Sequence, residues 1–342
     1  MTHPHQTPLW MLLEALVGAE RTDRLFQAVA VSPDLLGAAG QRARVPRAQL
    51  AMAMNLLLFE DLVQRVPQAQ AYVADRVRSG GQILFDHGAL RTVKAPSGSL
   101  PPGEAALTRL LEPLGYRCAA LYPLERLRMT GRAYAHQDFP EAIPQFFLSE
   151  FHPETFSPAF RVAVDRVLAS SRDPLPGWAG PALFELQADG AVAFDLALRL
   201  LPNLTACFRC QHQPPLRADY QTLLEESEEM AWIATEGNAF NHVTDRVADV
   251  EALAREQKAL GRPMKETVER SASGRVLQTA FRAARVERLM GTAQGHLAVE
   301  DVPGSFFEFI TRAPLADGSL DLGFDTGNAQ AIFKMTAAAP SR

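Results

Sequence analysis

The sequence lacks the features that mark membrane, secreted and nucleic-acid-binding proteins. No apolar stretch reaches the roughly 18 uncharged residues that a membrane-spanning helix needs. Lys and Arg form no basic run, and the formal net charge is −5, so a nucleic-acid partner is not expected. The N-terminus has no basic segment of a secretory signal, and three cysteines are too few for a disulfide framework. The sequence therefore predicts a soluble, cytoplasmic protein without a membrane or nucleic-acid partner.

Two widespread catalytic signatures are also missing. The chain contains neither a glycine-rich phosphate loop nor a Gly-x-Ser-x-Gly nucleophile motif. Nucleotide-dependent enzymes and serine hydrolases thus have no support from the sequence. The 342 residues, of which 47% are hydrophobic, are enough to bury one large core or two smaller ones.

A repeated motif is the most informative feature that the sequence does contain. Phe-Asp-His-x-x-x-Arg at residues 85–91 returns as Phe-Asn-His-x-x-x-Arg at residues 240–246. Glycine and polar turn signals precede both copies, and this pattern predicts two strands. Side chains two and four apart on a strand share a face, so each histidine should lie beside the arginine of its own motif. His87 and His242 could therefore supply two ligands to one metal centre.

The remaining periodicity predicts an α+β protein built from two similar halves. A helical region is expected over residues 1–80, a first sheet half with a helical insertion over 81–236, and a second sheet half over 237–342, all within one catalytic domain. The predicted strands cover residues 82–93, 116–121, 124–134, 143–148, 275–281, 285–290 and 304–312, with one more at His242. The predicted helices cover residues 102–114, 158–168, 184–201, 218–229, 247–260 and 328–335. The order β-α-β-β-β fits both halves, which predicts one curved antiparallel sheet around a cleft.

Glu308 is the best candidate for a third metal ligand. It lies in the run Phe-Phe-Glu-Phe-Ile, where a buried carboxylate is costly unless it is paired or bound to a metal. Two imidazoles and one carboxylate leave open positions for substrate and O₂, as in non-haem Fe(II) oxygenases. The alternative is that both histidines are ordinary core residues and that Glu308 pairs with an arginine such as Arg312. The residues alone leave both interpretations open.

Three further polar side chains are candidates for contacting a substrate. Arg91 and Arg246 each follow their histidine by four residues, and a guanidinium suits an acidic substrate. We favour Arg91, since Arg246 could equally form a structural ion pair with a neighbouring aspartate. Gln278, expected one strand away, is a candidate hydrogen-bonding group beside the metal and the substrate.

Two other groups of potential ligands are weaker candidates for a metal site. Cys207, Cys210 and His212 resemble part of a zinc site, but a structural zinc site needs four ligands. His136 and Asp138 match the His-x-Asp pair of jelly-roll oxygenases, with His212 or His242 as a distal ligand. We expect both groups to be incidental.

Several blocks together resemble the 2-oxoadipate dioxygenase/decarboxylase family, over residues 80–336. The blocks are Phe-Asp-His-Gly-Ala-Leu-Arg-Thr from Phe85, Phe-Leu-Ser-Glu-x-His ending at His152, Asn-His-Val-Thr-Asp-Arg from Asn241, Ser-Gly-Arg-Val-Leu-Gln-Thr from Ser273, Pro-Gly-Ser-Phe-Phe-Glu-Phe-Ile from Pro303 and Gly-Asn-Ala-Gln-Ala-Ile-Phe from Gly327. Characterised members of this family serve lysine catabolism.

The resemblance implies a fold similar to the vicinal oxygen chelate enzymes and an Fe(II) site made by His87, His242 and Glu308. It also implies that Arg91 binds the substrate and that O₂ oxidises 2-oxoadipate to 2-hydroxyglutarate and CO₂. The small-molecule 2-oxo acid and O₂ are the implied partners, and an oligomer is compatible with the sequence. The runner-up is a metal-dependent isomerase or lyase, similar to an epimerase or a glyoxalase, that uses the same ligands without O₂.

This chain corresponds to a short form of that family. The best-known bacterial members carry extra sequence near the active site, which affects the shape of the substrate pocket. Candidate cations for the distal carboxylate of a dicarboxylic substrate are Arg246, Arg282 and Lys334.

Overall fold

The computed structural model describes residues 5, 7–37 and 43–324, which form twelve α-helices and twelve strands. The helices are α1 (Pro8–Val17), α2 (Ala19–Ala28), α3 (Pro33–Leu36), α4 (Arg47–Arg65), α5 (Pro67–Arg78), α6 (Ala105–Leu111), α7 (Pro158–Leu168), α8 (Ala179–Asp189), α9 (Phe194–Ala206), α10 (Arg217–Glu226), α11 (Glu228–Glu236) and α12 (Val250–Ala259). The strands are β1 (Arg44–Pro46), β2 (Phe85–Val93), β3 (Tyr116–Leu124), β4 (Met129–His136), β5 (Gln145–Phe151), β6 (Ala191–Ala193), β7 (His242–Arg246), β8 (Glu269–Arg270), β9 (Val276–Ala280), β10 (Arg285–Gly291), β11 (Leu297–Pro303) and β12 (Phe306–Arg312). The predicted helix 328–335 lies outside the described residues.

Eight strands form one sheet in the order β3-β4-β5-β2-β7-β12-β9-β8. The first half runs β2-α6-β3-β4-β5 and the second runs β7-α12-β8-β9-β12, so both have the order β-α-β-β-β. The halves meet where β2 pairs antiparallel with β7. The predicted α+β fold, a duplicated sheet of the vicinal oxygen chelate type, is confirmed.

The pairing of strands corrects one detail of that prediction, because the sheet is not antiparallel throughout. In each half the last strand returns to lie parallel to the first, as β5 does beside β2 and β12 beside β7. Parallel neighbours require a long crossover, and the intervening helix and strands of each half provide it. Consequently the motif-bearing strands β2 and β7 lie in the middle of the sheet.

Three predicted elements also need correction. The strand predicted at residues 285–290 is β10, which pairs with β11 in a separate hairpin between β9 and β12. The helix predicted at 218–229 is two helices, because the Ser227 hydroxyl caps α11 by accepting from the Met230 amide. The helix predicted at 184–201 is interrupted by the left-handed residue Gly190 (φ 69°) and by β6.

The N-terminal helices pack on one face of the sheet. Helix α4 begins after Pro46, as the sequence predicts, and most of its side chains are buried. Phe59 of α4 contacts Phe85 and Phe307, and Tyr72 of α5 packs against Phe307 and Phe309. These aromatic contacts fix the face of β2 and β12 that points away from the histidines.

Helices α7, α10 and α11 of the insertion pack on the opposite face, whereas α8 and α9 pack with the N-terminal helices. Phe160 of α7, Leu223 of α10 and Trp232 of α11 share a hydrophobic core with Phe147 of β5 and Phe306 of β12. The sheet is therefore covered on both faces, and the face that carries the histidines is enclosed. None of the helices in the described part of the chain is long and apolar enough to cross a membrane.

Candidate metal centre

Three side chains from the centre of the sheet meet in a buried cluster. The Nε2 atoms of His87 and His242 lie 3.2 and 3.4 Å from Oε2 of Glu308. One ligand atom from each of the three residues lies within 4.8 Å of those of the others, and all three residues are buried. Among the described residues, this is the one group of three or more His, Cys, Asp or Glu side chains that could hold a metal ion.

A β-bulge explains why His87 reaches this cluster. Phe85 pairs with Asp245 and His87 pairs with Thr244, so Asp86 is an extra residue in β2. An extra residue breaks the alternation of side chains along a strand. Phe85 can therefore pack into the aromatic core behind the sheet while His87 faces the opposite side.

The residue before each histidine orients its ring. Nδ1 of His87 lies 2.8 Å from Oδ1 of Asp86, and Nδ1 of His242 lies 3.0 Å from Oδ1 of Asn241. Because these oxygens accept a hydrogen bond, each Nδ1 donates to the residue before its histidine, and each Nε2 is the ring nitrogen that faces Glu308. A metal-binding histidine needs this arrangement, in which one ring nitrogen is held by a neighbouring acceptor and the other is directed at the metal.

Both carboxylate oxygens of Glu308 are also oriented. Thr244 donates to Oε2 at 2.5 Å, and Gln278 donates from Nε2 to Oε1 at 3.0 Å. The predicted proximity of Gln278 to the cluster is therefore observed. Its direct partner is Glu308, so Gln278 holds the carboxylate in place.

The electrostatics of the cluster favour an anionic Glu308. Burial would raise the pKa of Glu308, but the positive charge that His242 can carry and the hydrogen bonds from His87 and Thr244 lower it below its usual value. Burial likewise opposes a charge on His87, yet hydrogen bonds to Asp86 and Glu308 raise the pKa of His87 overall. Burial lowers the pKa of His242 to about 3. The two histidines therefore differ in basicity although they occupy equivalent positions.

The donor set fits a divalent transition metal. Two imidazole nitrogens and one carboxylate oxygen face a common point, and a neighbouring residue fixes each donor. Neutral imidazole and carboxylate suit iron, zinc, nickel and manganese among others, whereas calcium and magnesium prefer oxygen alone. Three protein ligands also leave positions open for small molecules, which is the pattern of a catalytic site.

Arg91 lies on the same strand as His87 and is buried, with 1% of its surface exposed to solvent. Its guanidinium carbon lies 4.7 Å from the centre of the Trp232 ring, close enough for a cation–π contact. The Trp232 Nε1 donates to the Gly304 carbonyl at 3.0 Å, which fixes the ring. Burial lowers the pKa of Arg91 to about 10, so Arg91 remains a cation at neutral pH.

Arg246 and Arg312 both face Asp86. Arg312 donates to both oxygens of Asp86 at 2.8 to 3.1 Å, whereas Arg246 lies 3.7 Å from the same carboxylate. The ion pair between Arg312 and Glu308 that the sequence left open is therefore not formed. Arg246 forms the structural ion pair with an aspartate that was its alternative.

Aromatic rings surround the cluster. His242 stacks on Phe306 with ring centroids 4.6 Å apart, and Phe324 packs edge-to-face on His87 at 4.8 Å. Phe324 also contacts Phe147 and Tyr122, at 4.8 and 5.9 Å. This apolar wall limits the access of water to the two imidazoles.

The other candidate groups do not assemble into sites. Cys207 donates to the Asn203 carbonyl, Cys210 to the carbonyl of His212, and the His212 ring contacts the Ala234 carbonyl. Nδ1 of His136 accepts from the amides of Asp138 and Phe139 instead of facing a metal. Among the described residues, neither group comes together as a set of three or more potential metal ligands.

Two of the candidate cations for a distal carboxylate, Arg282 and Lys334, are not found at the cluster among the described residues. Arg282 lies at the surface beside Glu266, and Lys334 lies outside the described residues.

Four residues of the site were not predicted from the sequence, namely Asp86, Asn241, Thr244 and Trp232. For the first two a signal existed, since the repeat places an acceptor directly before each histidine.

The chain is similar to known proteins in both sequence and fold. The family model described as 2-oxoadipate dioxygenase/decarboxylase matches residues 42–319. A protein from Ralstonia eutropha JMP134, described as belonging to the glyoxalase superfamily, is 54% identical, with a TM-score of 0.90 over 96% of this chain and 100% of that one. No curated protein matches the sequence.

Two more distant solved structures share the fold. The hydroxyglutarate synthase of Oryza sativa in complex with 2-oxoadipate is 20% identical, with a TM-score of 0.65 over 91% of this chain and 95% of that one. The hydroxyglutarate synthase of Pseudomonas putida in complex with 2-oxoadipate is also 20% identical, with a TM-score of 0.55 over 85% and 72% of the two chains.

Proposed function

The chain belongs to the 2-oxoadipate dioxygenase/decarboxylase family, and on this premise we propose that it is an Fe(II)-dependent enzyme of lysine catabolism. It converts 2-oxoadipate and O₂ to 2-hydroxyglutarate and CO₂. The observation that carries the proposal is the buried cluster of His87, His242 and Glu308, whose donor atoms face one another. Its support from the comparisons is the family itself and the 2-oxoadipate bound in two structures of the same fold.

His87, His242 and Glu308 are proposed as the ligands of the iron. Asp86 and Asn241 hold the two Nδ1 atoms so that both Nε2 atoms are directed at the metal position, while Thr244 and Gln278 hold the carboxylate. Held by three protein groups, Fe(II) supplies open positions for the 2-oxo acid and O₂ and the redox chemistry that joins them.

Arg91 is proposed as the group that binds the substrate. Its buried guanidinium stays charged at neutral pH and lies 4.7 Å from the centre of the Trp232 ring. A planar cation of this kind binds a carboxylate through two parallel hydrogen bonds. Arg246 is retained as a second, weaker candidate for the distal carboxylate, since its side chain is partly exposed and shares Asp86 with Arg312.

The reaction balances with both oxygen atoms retained in one product. 2-Oxoadipate and O₂ contain the same atoms as 2-hydroxyglutarate and CO₂. The bond between the carboxylate and the keto carbon breaks, and CO₂ leaves with the two oxygens of that carboxylate. One atom of O₂ therefore completes the new carboxylate, and the other becomes the hydroxyl group. The rings of Phe306 and Phe324 pack on the two imidazoles and that of Phe147 packs on Phe324, so they would keep bulk water from a substrate bound at the metal.

The labelling of the product tests this function. The protein is purified anaerobically, loaded with Fe(II) and supplied with 2-oxoadipate under ¹⁸O₂. We expect one O₂ consumed per CO₂ released, with both labelled atoms in 2-hydroxyglutarate and none in the CO₂. Product without label, or no uptake of O₂ by the iron-loaded protein, would contradict the proposal.

The metal-dependent isomerase or lyase remains the second candidate. It would use the same ligands with a different divalent ion and would turn over substrate without O₂. Family membership favours the dioxygenase, because the name of the matching family describes that reaction. Turnover of a carbonyl compound in the strict absence of O₂ would favour the second candidate.

A further inference from the structure

Arg312, at the end of β12, joins two parts of the site. Its side chain is fully buried, with 0% of its surface exposed. Nε and Nη2 donate to the Asp86 carboxylate, and Nη1 donates to the carbonyls of Asp321 and Gly323 at 2.8 and 2.7 Å. One guanidinium therefore holds both the acceptor behind His87 and the backbone of residues 320–324, which we term the covering segment.

The covering segment has further anchors on the sheet and on the loop that precedes β5. The Leu320 amide donates to Glu141, Gln145 donates to the Leu322 carbonyl, and the Phe324 amide donates to the Tyr122 hydroxyl. These bonds, of 3.0 to 3.3 Å, involve single neutral groups or one exposed carboxylate. Arg312 contributes two charge-assisted bonds from a site without solvent, so it is the strongest of the anchors.

The segment ends on the metal cluster itself. Phe324 packs edge-to-face on His87 at 4.8 Å, and the Arg312 guanidinium lies 5.1 Å from the centre of the Phe324 ring. His87 is therefore held on two sides by groups that Arg312 positions, with Asp86 at its Nδ1 and Phe324 against its ring. His242 has no equivalent arrangement among the described residues, because its acceptor is the neutral Asn241.

We propose that Arg312 is a positioning residue that couples His87 to the covering segment, so that metal binding orders the wall of the substrate pocket. This inference rests on the proposed function for the identity of the pocket. The coupling itself requires only that His87 binds a metal. Since coupling between two sites is reciprocal, binding of a metal should slow the opening of the segment, and holding the segment should tighten the metal.

Hydrogen exchange with Co(II) as a spectroscopic metal probe tests the coupling without substrate or O₂. In the unmodified protein, Co(II) should slow amide exchange in residues 320–324. Arg312→Lys keeps the charge but cannot bridge Asp86 and two carbonyls. We expect this variant to exchange about tenfold faster in the segment. We expect it to bind Co(II) about 10- to 100-fold more weakly.

Arg109→Lys is the matched control. Arg109 forms a bidentate pair with Asp173 at 2.5 and 2.6 Å, outside the metal cluster. Its replacement by lysine therefore removes an arginine–carboxylate pair comparable to that of Arg312 and Asp86. It should change neither Co(II) affinity nor exchange in residues 320–324. If Arg312→Lys matches this control, or if Co(II) leaves exchange of the segment unchanged in the unmodified protein, the inference is wrong.

The unmodified protein keeps the test decisive even if Arg312→Lys does not fold, since slowed exchange on adding Co(II) needs no variant. Failure of O₂ uptake would overturn the proposed function and leave the exchange result standing. Normal O₂ uptake with no effect of metal on residues 320–324 would overturn the coupling alone.

Discussion

The two halves of the sheet present the same motif in different electrostatic surroundings. His87 is backed by Asp86, a carboxylate that Arg312 neutralises, whereas His242 is backed by the amide of Asn241. The Nδ2 atom of Asn241 is buried and has no hydrogen-bond partner among the described residues. The duplicated backbone thus places two equivalent ligands, and the residues around them make the ligands unequal.

The same contrast holds for the two arginines of the motif. Arg91 is enclosed beneath Trp232, from the insertion that covers the sheet. Arg246 is partly exposed and lies near Asp86. The first half thus supplies Asp86 and Arg91, whereas the second half supplies Glu308 with the neutral groups that orient it and Arg312, which holds Asp86.

Removal of a ligand should have the largest effect. His87→Ala and His242→Ala each delete one of three donors, and loss of a ligand should cost more than the roughly 100-fold that loss of its supporting group can cost. Isothermal titration with Co(II) measures both. His152→Ala is the control, since His152 bonds to Thr130 away from the cluster. Unchanged affinity in either ligand variant would mean that the metal lies elsewhere.

Replacement of the two motif arginines should raise the KM for 2-oxoadipate by different amounts. Arg91→Gln should raise the KM for 2-oxoadipate about 10- to 100-fold, because a charged hydrogen bond to a carboxylate is worth about 1.5 to 3 kcal/mol. Arg246→Gln should raise it less, because Arg246 is partly exposed and already faces Asp86. Steady-state O₂ uptake gives both values. Equal effects, or a larger effect at Arg246, would assign the substrate contact to the second half.

Exchange of the supporting residues should make the halves more alike. With Asp86→Asn, both histidines have a neutral amide at their Nδ1 atoms. This change should weaken Co(II) binding about 10-fold or more. Asn241→Asp adds a second carboxylate at a side chain that has no hydrogen bond to an arginine in the described structure, so it should lower the stability of the metal-free protein. Metal titration and urea unfolding check the pair. Tighter Co(II) binding by Asp86→Asn would contradict the proposed inequality of the histidines.

The smallest expected effect concerns stability and pH. Burial raises the pKa of Asp245 from 3.8 to about 6, although Tyr72 donates to this carboxylate at 2.7 Å. The folded state therefore holds the proton more tightly, and stability falls as the pH rises from the lower pKa through the higher one. Asp245→Asn removes this loss, so relative to the unmodified protein it should gain about 1 to 2 kcal/mol between pH 5 and pH 8.

Urea unfolding of the metal-free protein at the two pH values measures this gain. Asp249→Asn is the control, since Asp249 is an exposed cap of α12 that asparagine can replace. A gain shared by both variants would mean that Asp245 does not cause the pH dependence.

The sequence allowed the ligands to be predicted because a repeat and an isolated carboxylate are local signals. The repeat placed His87 and His242 on equivalent strands, and the aromatic run marked Glu308 as a buried charge. Residues that act through tertiary contacts gave no such signal. Trp232 belongs to a helix whose own periodicity says nothing about Arg91. Arg312 was considered only as a possible partner of Glu308, because the bulge at Asp86 has no local signature.

The pairing of strands shows the same limit. Strand positions follow from alternating side chains, but the parallel return of β5 and β12 depends on which neighbours each strand meets after the crossover. The hairpin of β10 and β11 carries alternating residues like the sheet strands, although it pairs apart from them.

Paired measurement of metal binding and O₂ uptake tests the central claim most directly. Anaerobic protein is titrated with Fe(II), and O₂ consumption is followed on adding 2-oxoadipate, for the unmodified chain and for Glu308→Gln. We predict one Fe(II) per chain and uptake of O₂ that matches the 2-hydroxyglutarate formed, with both lost in the variant. Iron binding and O₂ uptake that survive the loss of the Glu308 carboxylate would contradict the account.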